Sequence, residues 1–356
     1  MNLHYVVASK KEPLADYARE HALNRRHFLT TAGALAGTGI LSAIPGCKST
    51  SSSSASGLTP VRLQADWYPQ PEQGGYFAGV AEGFYQKEGL DVTILPLGQY
   101  ASCLQVVASG GADFGLGSSD QILEAVSNDL PLVAVGATMQ HDPQAVMVHI
   151  DSPVHNFPDL EGHTVSAQPG ATWFRYLISK YKLKSVRETP ATHSVANFLA
   201  DPSYIQQIFV TSEPYFVTKA GGTFRTMLIS GIGYDPYRIF FTRRDYLDQH
   251  PDVVQKFVRA TIQGWKEYLR NPGPANALIL KMNPAQNPQQ MQYTLQALKD
   301  GGFITGVPGA DSFDSHAQIG KMTADRWSQT NDQLASLGVL HKPIDPTTAY
   351  TLKFLA

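Results

Sequence analysis

Apolar and polar positions follow two alternating periods along the chain. Residues 61–65 show the two-residue period of a strand. Tyr76, Phe77, Val80, Ala81, Phe84 and Tyr85 then recur at helical spacing after Gly74-Gly75, and Gly89 ends that helix. A strand at 90–95, a helix at 103–108, a strand at 112–117, a helix at 119–128 and a strand at 132–136 complete the first run. The second run has strands at 163–167, 208–210 and 226–229 and a helix at 173–180. Extended stretches at 146–150 and 238–242 flank it and read as crossings between lobes. From 252 to 270, Val254, Phe257, Val258, Ile262, Trp265 and Leu269 form one helical stripe. Pro251 suits its first turn, and Asn271-Pro272-Gly273 stops it. The rest is mostly helical, with polar and proline breaks at 283–289.

Strands alternating with helices imply an α/β fold with mainly parallel sheets. Two such runs joined by crossing strands imply two lobes with a ligand cleft between them. Residues 60–144 start the first lobe, 145–240 form the second, and 241–356 return to the first and add C-terminal helices. In sheets of this kind ligands sit at the carboxyl ends of strands.

Composition narrows the function. With 43% hydrophobic and 16% charged residues, the chain of 356 has ample material for a core. A net charge of -2 gives no basic excess for nucleic acid. Two cysteines, Cys47 and Cys103, make neither a disulfide framework nor a cysteine metal site. No nucleophile elbow, paired helical histidines or Gly-Lys phosphate loop is present. The expectation is binding rather than turnover, with no catalytic residue, metal or cofactor.

Residues 1–46 read as an address. Arg25-Arg26-His27-Phe28-Leu29 is a twin-arginine pair before a mild Gly/Ala-rich stretch at 30–44, the layout of a twin-arginine export signal. Leu41-Ser42-Ala43-Ile44-Pro45-Gly46-Cys47 then resembles a lipoprotein processing site, which makes Cys47 the lipidated residue. The Ser-rich run in 47–59 reads as a tether. The expected location is therefore outside the cytoplasm, on the periplasmic or cell-surface side, anchored to a membrane by lipid.

Several motifs resemble one family. Asp66-Trp67-Tyr68-Pro69, Gly74-Gly75-Tyr76-Phe77-Ala78 and the run from Gly83 to Val92 look like the opening of thiamine-pyrimidine-synthesis-like substrate-binding proteins. Gly110-Gly111-Ala112-Asp113-Phe114-Gly115, Asp159-Leu160-Glu161-Gly162, Pro251-Asp252-Val253-Val254 and Gly264-Trp265 continue the resemblance over residues 60–285. It implies a two-lobed, type II periplasmic-binding fold, a small-molecule ligand, and an ABC permease and ATPase as partners. The family also contains an iron-using enzyme with a cysteine-rich segment, which this chain lacks.

Candidate ligand contacts lie at strand ends. Asp66 and Trp67 follow the first strand, and Tyr76 opens a helix. Ser118 and Ser119 follow the third strand, where one of them caps a helix, and Gln140 follows the fourth. In the second lobe, Trp173 is an opposing aromatic wall, and Glu213 and Tyr215 end a strand. Tyr234 lies in a Gly-rich loop with Asp235 and Tyr237. Two carboxylates and aromatic rings, with no Arg or Lys at matching loops, favour a flat heterocycle bearing amino groups. A thiamine pyrimidine precursor fits that description. The alternatives are a sulfonate, nitrate or flavin binder, a pyrimidine-synthesising enzyme, and a ligand-sensing receptor subunit.

Overall fold

The computed structural model describes residues 57–97, 102–192 and 194–355. The export signal, Cys47 and most of the tether lie outside them. Ten strands form two five-stranded sheets. In the first, β1 (Thr59–Gln64), β2 (Leu90–Leu95), β3 (Phe114–Ser118), β4 (Leu132–Met139) and β10 (Arg238–Arg243) take the order β2-β1-β3-β10-β4. In the second, β5 (Gln144–His149), β6 (Thr164–Ala167), β7 (Arg187–Pro190), β8 (Ile205–Phe209) and β9 (Phe224–Leu228) take the order β7-β6-β8-β5-β9.

The two sheets repeat one scheme. Three parallel strands lie side by side, and one strand runs against both its neighbours: β10 between β3 and β4, and β5 between β8 and β9. Each reversed strand is the first laid down after the chain changes sheet. The expected crossings at 146–150 and 238–242 are therefore corrected. Residues 146–149 and 238–242 are ladder strands, and the chain crosses just before β5 and β10, at 140–143 and 229–237. The whole of β10 belongs to the first sheet, so the turn back into the first lobe comes before residue 238.

The helices follow the apolar stripes. They are α1 (Gly74–Ala81), α2 (Phe84–Lys87), α3 (Cys103–Ala108), α4 (Ser119–Ser127), α5 (Thr172–Tyr181), α6 (Ala196–Ala200), α7 (Glu213–Lys219), α8 (Arg244–Gln249), α9 (Pro251–Arg270), α10 (Gly273–Met282), α11 (Pro288–Asp300) and α12 (Ala324–Ser336). The single helix expected over 76–85 is two, because Gly83 takes a left-handed φ of 68° that only glycine adopts cheaply. Strand β7 escaped the pattern: all four of its residues are exposed, so it carries no apolar period.

Helix α9 is the beam of the first lobe. Val254, Phe257, Val258, Trp265 and Leu269 are buried along it, each worth about 1.5–3 kcal/mol on transfer from water. Glycines let α1 press against it. A Cβ on Gly75 would lie 2.2 Å from the Trp265 ring, and one on Gly264 would lie 2.2 Å from the Gly75 carbonyl. That contact accounts for the paired Gly74-Gly75 and Gly264-Trp265 motifs. It also fixes the 3-10 turn Pro71–Gln73, which leads directly into α1 and toward the cleft.

Candidate functional site: the cleft between the sheets

The carboxyl ends of β1, β3 and β8 converge with the start of β10, and an ionic chain joins them. The Asp66 carboxylate accepts from Gln73 Nε2 at 2.9 Å and from Arg238 Nη2 at 3.1 Å. Arg238 opens β10 opposite Ser118 and Met139, and its other terminal nitrogen lies 3.8 Å from Asp142 Oδ2 in the first crossing. Its guanidinium also stands 5.3 Å over the ring of Phe209 in the second sheet. One cation thus touches the first lobe, a crossing and the second lobe. Burial works against its charge, but Asp142, Asp66 and Asp120 more than offset that and hold it protonated. Asp142 is itself buried, which pushes its carboxyl up to about 6 against the pull of Arg238.

Arg238 corrects an expectation. The cleft does contain an arginine, and its charge is matched by Asp66 and Asp142. The strand pattern concealed it, since a lone Arg at the head of an apolar run looks like an exposed edge residue. Gln73 and Glu72 were also missed, because both lie in a proline-led turn without periodicity. Gln73 Oε1 is buried without a hydrogen-bond partner, while Nε2 of the same amide holds Asp66. Glu72 is 7% exposed and accepts from Thr211 Oγ1 at 2.8 Å, a bond from the first lobe to the loop after β8.

The expected site residues divide. Asp66 and Trp67 are half-buried at the end of β1, with the Trp67 ring edge-on to Tyr68 at 5.5 Å. Glu213 begins α7 and is half-buried, and its Oε2 accepts from the Phe209 amide at 2.9 Å. Burial pushes its carboxyl upward. Tyr215 starts the same helix, and its hydroxyl donates to Asn287 Oδ1 at 3.2 Å.

The others are placed in the frame. Tyr76 is fully buried against Trp265 and Phe240, and its hydroxyl pairs with Thr138 Oγ1. Trp173 is 4% exposed within the apolar core of the second lobe, beside Phe174, so packing claims the ring expected as a wall. Ser118 caps α4 in a capping box with Gln121. Ser119 Oγ accepts from the Tyr237 amide at 3.0 Å, which ties α4 to the second crossing. Gln140 Nε2 donates to the carbonyls of Gln318 and Lys321, both at 2.8 Å. Tyr234 is buried and donates to Asp120 Oδ2 at 2.7 Å.

The two crossings meet at Asp235. Its Oδ1 accepts from the Asp142 amide at 2.8 Å, its Oδ2 lies 2.7 Å from His141 Nδ1, and Arg326 of α12 pairs with it at 2.9 Å. Among the described residues no cluster of His, Cys, Asp and Glu has the arrangement of a metal site, and no helix is long and apolar enough to cross a membrane.

The chain is 23% identical over 310 residues to the riboflavin-binding protein RibY of Chloroflexus aurantiacus, covering 84% of this chain and 86% of that one. It is 23% identical over 321 residues to the formylaminopyrimidine-binding protein of Halalkalibacterium halodurans, covering 86% and 93%. A 4-amino-5-hydroxymethyl-2-methylpyrimidine phosphate synthase of Legionella pneumophila is 21% identical, covering 83% and 92%. Among solved structures, the periplasmic aliphatic sulphonate binding protein SsuA of Escherichia coli superposes with a TM-score of 0.62 at 15% identity, covering 81% and 91%, which shows the two-lobed periplasmic-binding fold. The family model described as "NMT1/THI5 like" matches residues 70–275, and the chain belongs to that family.

Proposed function

We propose that this chain is an exported solute-binding lipoprotein of an ABC importer that captures a flat, amino-bearing heterocycle between its lobes. A thiamine pyrimidine precursor is the solute favoured. The observation that carries the reading is the imbalance of acceptors over free donors in the cleft. Glu213 and the unpartnered Gln73 Oε1 offer oxygen, while the Arg238 guanidinium is committed to Asp66 and Asp142. A sulfonate or nitrate needs donors and is repelled by carboxylates. An exocyclic amine is what such a pole accepts, and Trp67 at its edge offers a face for stacking. The named relatives that bind riboflavin and formylaminopyrimidine support a nitrogen heterocycle.

Native mass spectrometry of protein purified from its own cells tests this reading. A co-purifying nitrogen heterocycle is expected, and a sulfonate in its place would overturn the ligand class. Turnover of an added pyrimidine precursor, with bound iron, would instead favour the synthase named among the relatives.

Anchoring rests on Cys47 and the twin-arginine stretch, outside the described residues. Cys47→Ala is expected to move the protein from the membrane fraction to the soluble one. Retention after a high-salt wash would contradict a lipid anchor.

A further inference from the structure

Loop 210–212 of the second lobe is gripped from two sides by parts of the first. On one side Thr211 Oγ1 donates to Glu72 Oε1 at 2.8 Å. On the other, α11 holds the loop's backbone. Thr294 Oγ1 donates to the Thr211 carbonyl at 2.7 Å, and the Tyr293 hydroxyl donates to that of Val210 at 3.0 Å. Thr211 is wholly buried and Glu72 nearly so, which makes their bond an interior join between lobes rather than a surface contact.

The charges around Glu72 are unfavourable to a carboxylate. Asp66 approaches from the end of β1 and Glu213 from α7, and both raise its proton affinity. From α9 the group facing it is the Tyr268 hydroxyl, which is neutral. Helix α1 brings only Tyr76, bound to Thr138. The charges of α11, Lys299 and Asp300, lie in its last turn, away from the loop. The cation of the cleft, Arg238, is already paired with Asp66 and Asp142.

We infer that Glu72 is a proton-controlled latch. As a neutral acid it joins the lobes through Thr211, and as an anion beside Asp66 and Glu213 it favours their separation. This rests on the reading of the chain as a two-lobed solute binder that opens and closes. The sign follows from linkage. Burial first, opposed by the Thr211 bond and aided by Glu213 and Asp66, pushes the Glu72 carboxyl from an ordinary 4.5 up to about 7 in the joined state. The joined state therefore holds its proton more tightly than a solvated Glu72 does. Joining is undisturbed below an ordinary glutamate pKa. It weakens as pH climbs toward 7, and the loss is complete above that. A bound amine or amidine would offset the repulsion, so solute capture and proton release would be coupled at one carboxylate.

Solution scattering of the full chain, dialysed free of solute and measured from pH 5 to pH 8.5, tests the latch apart from any ligand assignment. The radius of gyration is expected to rise as pH climbs from 5 toward 7 and to level off above that. In Glu72→Gln, which keeps an acceptor for Thr211 but cannot ionise, it should stay at the compact value across the range. Thr211→Val, which removes the donor without adding charge, should be shifted toward the open form even at pH 5. A wild-type radius unchanged with pH overturns the inference. So does the same rise in Glu72→Gln, since Asp142 also titrates upward and would then be the responsible group. Because no solute is present, failure of the heterocycle assignment would leave these outcomes unaffected.

Discussion

The two lobes bring carboxylates to the cleft on very different terms. Asp66 of the first lobe has both oxygens committed, one to Gln73 and one to Arg238. Glu213 of the second lobe accepts one backbone amide, that of Phe209, and pairs with no cation among the described residues. A carboxylate whose lone pairs and charge are already matched is part of the frame. One that is half-buried and holds a single backbone amide keeps acceptor capacity unused, while burial pushes its carboxyl upward. Residue type alone does not distinguish them, since both read as strand-end acids in the sequence. Their neighbours decide, and the decisive neighbour is Arg238.

The sharpest way to break this contrast is to remove that neighbour. Arg238→Ala leaves Asp142 buried and Asp66 half-buried without their cation. Losing one partner of a buried ion pair costs about 3–5 kcal/mol, and the partial exposure of Arg238 and Asp66 places this case near the lower end. For a chain of this size each kcal/mol moves the melting midpoint by roughly 1–2 °C, so a fall of about 3–6 °C in calorimetry is expected at pH 7.5. The loss should shrink at pH 4.5, where Asp142, with its carboxyl raised to about 6, is neutral without its partner. An unchanged midpoint at pH 7.5 would show that Asp66 and Asp142 do not depend on Arg238, and the contrast between the lobes would lose its basis.

Much of the fold was legible because it depends on periodicity. Helix α9 appears within a residue of its expected limits, since its stripe of Val254, Phe257, Val258, Trp265 and Leu269 is buried as its spacing implies. Strand β7 was not, because Arg187, Glu188, Thr189 and Pro190 are held by backbone pairing to β6 and bury no side chain. The site was legible only in part. Asp66 and Trp67 lie just past the end of β1, as read, whereas Glu213, read as the end of a strand, begins α7 beyond the end of β8 at Phe209. Tyr76 and Trp173 follow the same positional rule but turn inward, and large rings are absorbed by whichever core lies nearest. Arg238 was hidden because its role depends on register: opposite Ser118 and Met139, beside a crossing, it faces acids more than 90 residues away in the chain. Glu72 and Gln73 were hidden because a 3-10 turn has no amphipathic signature, and only the glycine contact of α1 with α9 fixes where that turn points.

The most direct test of the central claim is a calorimetric titration of wild type and Glu213→Gln with an aminopyrimidine, riboflavin, taurine and nitrate at one pH. Glutamine keeps an acceptor for the Phe209 amide and removes the charge offered to a ligand amine. Loss of a hydrogen bond to a charged group typically costs about 1.5–3 kcal/mol, so the substitution should weaken aminopyrimidine binding roughly ten- to a hundredfold, with no binding of taurine or nitrate to either protein. Tight binding of taurine or nitrate, unaffected by Glu213→Gln, would contradict both the ligand class and the division of labour between the two lobes.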